Sequence, residues 1–175
     1  MATNEVPAAA IAPTADEVVG DLFRAHAVAL VRLAVLLLGD QPSAEDVVQD
    51  AFLRLYRGLP QLRDTDKALH YLRVSVVNGS RSALRARRRA LLRRVNHEPP
   101  VWSAESAAMA GEDRRVVLAA IARLPRRARE VLALRYYLNL PDHEIASVLG
   151  VSRGTVSSTA SRGLATLARN LKEEL

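Results

Sequence analysis

Apolar residues recur at three- and four-residue steps along most of the chain, which is the spacing of one buried face of an α-helix. The first run extends from Asp16 to Leu38 and stops at Gly39, a residue type that commonly ends helices. No stretch alternates apolar and polar residues as a half-buried strand does, so the pattern predicts an all-α fold. The predicted core residues of this helix are Leu22, Phe23, Ala27, Leu30, Leu33, Ala34 and Leu37.

Two further helices are predicted before residue 95. The first covers residues 43–58, and its Ser43 and Asp46 have the spacing of a capping box. The next follows a polar loop at residues 61–66 and covers residues 67–94. Its second half is mostly Arg and Ala, so we expect that end to project from the bundle. The predicted core residues are Val47, Val48, Ala51, Phe52, Leu55 and Leu59 in one helix and Leu69, Leu72, Val76 and Val77 in the other.

The C-terminal third also reads as helical. A short helix ends at Leu124, and Pro125 suits the first position of the helix that follows. After a turn at residues 139–141, two helices are predicted at Asp142–Leu149 and Arg153–Leu171. A stretch that contains Pro, Gly and Ser predicts a linker before the C-terminal third. The predicted organisation is a flexible tail at residues 1–15, a small helical domain at 16–95, an acidic linker at 96–112 and a second small helical domain at 113–175.

The last two predicted helices have the residue types of a helix-turn-helix unit. Ala146 is small enough for close helix approach, Gly150 suits the turn, and Ser152 can cap the second helix. Arg and Ser on the outer face of that helix suit contacts with bases or phosphates in a major groove. A helical hairpin without a ligand is the alternative. The shared core would be Ile145, Leu149, Val151 and Val156, and the outer face Arg153, Ser157, Ser158, Ser161 and Arg162.

Charge is segregated along the chain, whose net charge is +6. Residues 16–60 hold seven acids and four bases, whereas residues 61–97 hold two acids and ten bases. Residues 98–113 hold four acids and no base, and residues 114–170 hold three acids and ten bases. Two basic blocks around an acidic spacer predict two surfaces that face a polyanion. Ordinary solvated helix faces would give a similar count and are the alternative.

A dense arginine strip lies at the end of the third helix. Its positive charge would supply salt-sensitive affinity for DNA of any sequence. A disordered basic linker or a membrane-surface patch is the alternative, although few apolar residues accompany the arginines. The strip consists of Arg81, Arg85, Arg87, Arg88, Arg89, Arg93 and Arg94.

One face of the second helix carries Asp46, Gln49, Asp50 and Arg57. This face could bind a partner. Local roles are the alternative: Asp46 near the helix start would favour its positive end, and Asp50 could pair with Arg54 four residues later.

Several functional classes are not expected. The chain has no Cys, and none of its four His lies three to five residues from another, so neither a metal nor a cofactor is predicted. We find no nucleophile–base pair or phosphate loop, so an enzyme is not predicted. Residues 1–15 lack a basic start, and Arg32 interrupts the longest apolar stretch, residues 27–38. A cytoplasmic protein without a membrane partner is therefore predicted.

Two motifs together resemble a known family. One is Ser43-Ala-Glu-Asp-Val-Val-Gln-Asp-Ala-Phe-Leu-Arg-Leu-Tyr, and the other is Leu124-Pro-x-x-x-Arg-Glu-Val-Leu followed by Glu144-Ile-Ala-x-x-Leu-Gly-Val-Ser-x-Gly-Thr-Val. In this order they resemble the extracytoplasmic-function group of bacterial sigma-70-type sigma factors, especially its small actinobacterial branch. The resemblance covers residues 16–175 apart from the linker.

The resemblance implies a factor that gives core RNA polymerase its promoter specificity. Region 2, a bundle of three or four helices, would bind polymerase and melt and read the −10 element. Region 4, a four-helix domain with the helix-turn-helix, would read the −35 element. The resemblance also implies contacts with the β′ clamp helices and the β flap of polymerase. Asp46, Gln49 and Asp50 would contact the clamp helices. The linker would thread towards the polymerase active cleft, and an anti-sigma factor would be a further partner.

The −10 element would be contacted by the loop 61–66 and the helix that follows it, where Tyr71 could stack on an exposed base. The implied −10 residues are Tyr71, Arg73, Asn78, Arg81, Arg85 and Arg88. The implied −35 residues are Ser152, Arg153, Thr155, Ser157, Ser158, Ser161 and Arg162.

Three positions depart from the family pattern. Ser157 replaces a common Lys, Val74 replaces a common Arg, and Pro141 stands where Ser or Thr often caps a helix. Two other functions stay open at this point. A repressor or activator would use only the second domain and bind an operator without polymerase, whereas a helical adaptor would bind acidic proteins and show little salt-dependent DNA affinity.

Overall fold

The computed structural model describes residues 14–58, 65–93 and 112–174. These residues form helices only, without a strand among them, so the all-α prediction is confirmed. Residues 1–13, 59–64, 94–111 and 175 lie outside the described residues, and with them most of the predicted tail (1–15), loop (61–66) and linker (96–112). The last two loop residues and the last linker residue are helical, since the helices that follow begin at Thr65 and Glu112. The helices are α1 (Ala15–Leu38), α2 (Gln41–Gly58), α3 (Thr65–Arg93), α4 (Glu112–Ala122), α5 (Arg126–Leu132), α6 (Asp142–Leu149) and α7 (Arg153–Glu174), and a π-helical turn (Ala133–Tyr137) continues α5.

Helix α1 begins with a capping box. The Glu17 amide donates to the Thr14 hydroxyl at 3.3 Å, and the Thr14 amide donates to the Glu17 carboxylate at 2.8 Å. Thr14 and Ala15, which we had assigned to the tail, therefore belong to the start of this helix. Gly39 ends the helix as predicted, in the left-handed conformation with φ of 87°.

The start of α2 differs from the prediction. The helix begins at Gln41, and the Ser43 amide donates to the Asp40 carboxylate at 2.9 Å. The capping side chain is therefore that of Asp40, and the prediction that Ser43 caps the helix with Asp46 is wrong. Pro42 is compatible with this earlier start because the amide groups of a first helical turn have no partner within the helix.

Arg87 of α3 closes the corner between α1 and α2. Its guanidinium donates to the Leu38 carbonyl at 3.0 Å and to the Ser43 hydroxyl, and it forms an ion pair with Asp40. Burial alone would raise the pKa of the Asp40 carboxyl, but the Ser43 amide and hydroxyl and the Arg87 guanidinium together lower it. Arg87 thus ties the arginine-rich half of α3 to the bundle, whereas residues 88–92 beyond it are exposed, in agreement with the predicted projecting end.

Helices α1, α2 and α3 pack against one another and form the N-terminal bundle. Leu33, Leu55 and Leu72 are fully buried at its centre, where the sequence pattern placed them. Gly79 of α3 lies so close to α2 that a Cβ there would be 2.8 Å from a methyl carbon of Val47. This close approach explains why a glycine lies in the middle of a long helix, where its flexibility is unfavourable.

Helices α4 to α7 form the C-terminal bundle, in which α7 packs against α4, α5 and α6. Leu134, Ile145 and Val156 are fully buried at its centre. The buried Asn170 side chain donates to the Ala120 carbonyl at 2.9 Å, which holds α7 against α4. Pro125, the predicted first residue of α5, is its capping residue instead, so the helix begins one position later than predicted, at Arg126.

The two bundles also contact each other. Helix α1 packs against α4, α5 and the π-helical turn, and α3 packs against α6. The Arg129 guanidinium of α5 donates to the Leu37 carbonyl of α1 at 3.1 Å and to the Leu124 carbonyl at 3.2 Å. Burial lowers the pKa of Arg129, and Glu130 beside it acts in the opposite direction.

Candidate nucleic-acid interface

The turn between α6 and α7 has the geometry of a helix-turn-helix. Gly150 adopts the left-handed conformation with φ of 67°, and the Val151 amide donates to the Ala146 carbonyl at 3.0 Å. The Ser152 hydroxyl accepts the Thr155 amide at 3.1 Å, which is the predicted cap of the second helix. The predicted shared core is present, since Ile145, Leu149 and Val156 are buried and Val151 is partly buried.

The outer face of α7 is open to solvent. All seven predicted residues of this face, including the cap Ser152, are exposed. The Ser158 and Ser161 hydroxyls donate to backbone carbonyls of their own helix at 3.3 and 3.2 Å, and so does the Arg162 side chain at 3.2 Å. These local bonds involve the helix's own backbone, so the face presents polar groups that a nucleic acid could reach. The seven residues are Ser152, Arg153, Thr155, Ser157, Ser158, Ser161 and Arg162.

The basic side chains of α3 are in different environments. Arg88 and Arg89 are exposed, and Arg85 is exposed with a hydrogen bond to the Ser82 hydroxyl at 2.9 Å. Arg73 and Arg81 are instead engaged by the C-terminal bundle. Of the remaining strip positions, Arg87 is bound at the α1–α2 corner, and the Arg93 side chain and Arg94 lie outside the described residues.

Arg81 forms a two-pronged ion pair with Glu130 of α5. Both guanidinium–carboxylate distances are 2.8 Å, and the side chains are only 16% and 2% exposed. The hydrogen bonds to Glu130 raise the pKa of Arg81, against the effect of its burial. Arg81 also donates to the side-chain oxygen of Asn78 at 3.1 Å. Asn78 itself is exposed, whereas Tyr71 is partly buried against the core of the N-terminal bundle.

A second cross-bundle ion pair joins Arg73 of α3 and Glu144 of α6 at 2.9 Å. Next to it, the His70 ring nitrogen and the Ser147 hydroxyl are 3.3 Å apart. These contacts bring the first helix of the helix-turn-helix against the predicted DNA-facing helix of the N-terminal bundle.

The exposed face of α2 carries a mixed polar and apolar surface. Asp46, Gln49 and Asp50 are all exposed, as the sequence indicated, and Asp50 lies 3.6 Å from Arg54. Leu53 continues this stripe at the next helical step and is 52% exposed. Single exposed apolar residues are common on protein surfaces, so Leu53 is of interest only because it lies beside this polar stripe.

Sequence reasoning missed Glu130 and Leu53. Glu130 belongs to the quoted motif, but its partner Arg81 lies 49 positions earlier, so no local signal indicated the pair. Leu53 was missed because an apolar residue in an amphipathic helix is normally assigned to the core, and only the structure shows that it faces outward.

Two further properties of the described residues bear on function. None of their helices combines the length and apolar character needed to cross a lipid bilayer. Within the same ranges, no three His, Asp or Glu side chains come together in a way that could hold a metal ion.

Comparisons with protein families give two matches. The model described as "Sigma-70 region 2" matches residues 22–90, and the model described as "Sigma-70, region 4" matches residues 114–167. The first match contains α2 and most of α3, and the second contains the helix-turn-helix.

Curated relatives carry names of the same kind. The chain is 33% identical over 145 residues to "RNA polymerase sigma-E factor" of Streptomyces avermitilis, covering 82% of this chain and 79% of the relative. It is 31% identical over 157 residues to "ECF RNA polymerase sigma factor SigL" of Mycobacterium tuberculosis, covering 87% and 88%. It is 30% identical to "Probable RNA polymerase sigma factor RfaY" of Xanthomonas campestris, of which it spans 44%.

Solved structures have the same fold. A structure of CnrH in complex with the cytosolic domain of CnrY aligns with a TM-score of 0.67 at 27% identity, covering 90% of this chain and 89% of the other. A structure of the sigma factor RpoE with the anti-sigma factor NepR from Bartonella quintana aligns with a TM-score of 0.68. Its identity is 21%, so it supports the fold alone; it covers 87% of this chain and 96% of that one.

Proposed function

Because the chain belongs to the sigma-70 family of RNA polymerase sigma factors, in its extracytoplasmic-function group, we propose that three polar surfaces, on α2, α3 and α7, divide the work of promoter-specific transcription initiation. The observation that carries the proposal is the pairing of an open, capped helix-turn-helix with a separate basic helix, α3. In this division, residues 16–95 act as region 2, residues 96–112 as the linker and residues 113–175 as region 4.

The α2 face is the proposed docking surface for the β′ clamp helices of polymerase. Asp46, Gln49 and Asp50 would supply polar contacts, and Leu53 would supply the apolar anchor. Interface energy usually concentrates in a few well-packed side chains near the centre of the interface, within a polar rim. Region 4 would in turn lie against the β flap.

Helix α3 is the proposed −10 surface. Tyr71 and Asn78 would recognise bases of the separated strand, and Arg73, Arg81, Arg85 and Arg88 would contact phosphates. Unstacking a base costs a few kcal/mol, which stacking on an aromatic ring offsets. Arg85 and Arg88 are already exposed, while Arg73 and Arg81 first need release from their carboxylate partners.

Helix α7 is the proposed −35 reader. Its N-terminal part would enter the major groove, as in other helix-turn-helix units. Arg153 and Arg162 could bind guanine edges or phosphates. The serine and threonine hydroxyls could donate hydrogen bonds to phosphates and could donate to or accept from base edges. The remaining proposed contacts are Ser152, Thr155, Ser157, Ser158 and Ser161.

Run-off transcription tests this division of work. Purified chain and core polymerase are incubated with a pool of genomic promoter fragments, and new transcript starts are mapped. We expect new start points that depend on the chain. Asp50→Ala combined with Leu53→Ala should abolish capture of core polymerase, whereas Asp21→Ala on the exposed surface of α1 should not. If core polymerase binds the double variant as it binds the unaltered chain, the docking assignment is wrong.

Further proposals follow from the family. The relatives of known structure were solved with CnrY and NepR, so we propose that an anti-sigma factor also binds this chain. The protein would perform no catalysis itself, because polymerase performs RNA synthesis, and it would act in the cytoplasm with that enzyme. A repressor using only the C-terminal bundle would bind DNA tightly without polymerase, so the run-off assay separates the two functions.

A further inference from the structure

The two bundles are held together by a buried charge. Glu130 of α5 is almost completely buried, and a buried carboxylate is unfavourable unless it is paired and hydrogen-bonded. Arg81 of the other bundle supplies the two shortest contacts, both at 2.8 Å. Arg127 of its own helix adds one at 3.2 Å, and Arg126 lies at 3.6 Å.

The side chains of α3 that contact the C-terminal bundle lie on one side of that helix. His70 and Arg81 are eleven residues apart, about three helical turns, and Arg73 lies about 60° around the helix from His70, so the three share one broad face. This face is covered by α5 and α6 through Glu130, Glu144 and Ser147. Two of the three side chains, Arg73 and Arg81, belong to the proposed −10 surface.

The packed arrangement does not fit a promoter. Two DNA elements about 25 base pairs apart are separated by roughly 85 Å of helix axis. In this structure the start of the helix-turn-helix touches α3, since Arg73 and Glu144 are 2.9 Å apart. A helix of 22 residues such as α7 is only about 33 Å long. The bundles must therefore separate before each can reach its own element.

The interface is suited to separation. An apolar groove of about 340 Å³ remains unfilled where Leu36 of α1 faces Leu124 and Leu132, so apolar packing between the bundles is incomplete there. After separation, Glu130 would be exposed to water and would keep Arg126 and Arg127 beside it. Opening therefore leaves no buried unpaired charge on the C-terminal bundle.

We propose that the Arg81–Glu130 and Arg73–Glu144 pairs form a latch that holds the free protein closed and covers its −10 surface until polymerase opens it. The polymerase-docking face of α2 stays exposed in the closed form, so polymerase can engage the N-terminal bundle before the latch opens. The proposal rests on the assignment of α3 to the −10 element.

A covalent lock tests whether the closed form is inactive. The chain has no Cys, so His70→Cys with Ser147→Cys creates a single reactive pair across the interface. In the absence of polymerase, this double variant is treated with a short bismaleimide, which joins the two cysteine side chains. The spacer of the reagent contains a disulfide, so the link can be cut by reduction. We expect efficient intramolecular linkage and about a tenfold or greater loss of run-off transcription, with recovery after reduction. The control is the same variant capped with N-ethylmaleimide, which should stay active.

Each result of this test is informative. If the linked protein transcribes as well as the capped protein, or if no intramolecular link forms, the latch is wrong. If the capped protein is also inactive while the unaltered chain is active, the cysteine positions themselves matter and the closed form is not the cause. An inactive unaltered chain would refute the proposed function instead, and linkage would still report whether the bundles are in contact.

Opening the latch provides a second test that needs no promoter. Glu130→Gln with Glu144→Gln removes both carboxylates, and the charge-matched control is Asp21→Asn with Glu173→Gln, whose exposed ion pairs each lie within one bundle. Binding is measured to a 30-base-pair duplex of random sequence over a range of salt concentrations. Release of Arg73 and Arg81 should steepen the slope of log affinity against log salt by about one to two units relative to the control.

Small-angle scattering of the same proteins should show a larger radius of gyration only for the latch variant. Equal slopes and equal radii in the latch variant and the control would overturn the proposal. Circular dichroism checks that the latch variant keeps its helices. If its helices are lost, the cross-linking test alone decides, because it leaves the latch residues unchanged.

Discussion

Helices α3 and α7 are both long and both carry several arginines, yet they use them differently. In α3, Arg73, Arg81 and Arg87 bind carboxylates of other helices and are between 16% and 27% exposed. In α7, Arg153 and Arg162 are exposed, and the hydrogen bond of Arg162 is to its own helix. A run of arginines in a sequence can therefore contain both structural and ligand-binding side chains, and only their packing in the folded protein distinguishes the two kinds.

The difference follows from position in the fold. Helix α3 packs against α1 and α2 on one side and against α6 on another, so two of its sides contact protein. Helix α7 buries one stripe against α4, α5 and α6 and leaves its outer face free. The free protein therefore presents all of the proposed −35 surface and only part of the proposed −10 surface.

Adjacent arginines in α3 give the largest expected contrast. Replacing Arg87 by Ala should lower the free energy of unfolding by about 3 kcal/mol, because Asp40 would lose its cation in a partly buried corner. Replacing the exposed Arg88 by Ala should change it by less than about 0.5 kcal/mol. Urea denaturation measures both. Similar losses for the two variants would mean that the strip is uniform after all.

Glycines on the two helices should respond with opposite signs. Gly79→Ala places a Cβ 2.8 Å from the stiff Val47 side chain and should destabilise by about 2 kcal/mol. Gly154→Ala places a Cβ 3.9 Å from the Ser152 hydroxyl, an ordinary van der Waals contact, and should stabilise by about 0.5–1 kcal/mol. Thermal unfolding of both variants decides this. A stabilised Gly79→Ala variant would show that α2 and α3 do not approach this closely.

The outward arginines of α7 should affect DNA binding and not folding. Arg162→Ala should weaken binding to a −35 duplex about tenfold and alter base preference, because one such contact contributes about 1–3 kcal/mol of discrimination. Arg169→Ala, two turns further along the helix, should have little effect, since the N-terminal part of the helix enters the groove. Fluorescence anisotropy with duplexes altered at single bases measures both. Equal losses for the two variants would indicate only nonspecific phosphate contact.

The smallest expected effect concerns acid stability at the α1–α2 corner. The pKa of Asp40 is lower in the folded protein than in the unfolded chain, so its contribution is present above about pH 4 and is lost as pH falls through the folded value. Asp40→Asn should therefore cost about 1 kcal/mol at pH 7, and the difference should disappear in strong acid. Urea denaturation from pH 7 to pH 2.5 measures this, with Asp21→Asn as the exposed control. A constant difference across that range would contradict the assignment.

Local signals made much of the fold predictable. Gly39 and Gly150 occupy the left-handed positions that their residue type indicates, and Ser152 caps α7 as expected. All of these depend on neighbours within a few residues. The family resemblance added the order of the two regions, which the comparisons support.

What the sequence did not reveal depends on contacts between distant residues. Arg87 and Arg88 are neighbours in the sequence, yet one binds Asp40 in a partly buried corner and the other is exposed. The cap of α2 was misplaced because Ser43 and Asp40 are both good capping residues, and the helix starts at the earlier one. In each case the competing choices differ by small local energies, and tertiary packing decides between them.

The position of Arg87 has a consequence for synthesis of the chain. The ribosome delivers this arginine 47 residues after Asp40, which at about 5–20 residues per second corresponds to roughly 2–9 s. During that interval the first two helices exist without the side chain that joins their corner. The N-terminal bundle therefore completes its folding only after most of its third helix has been synthesised.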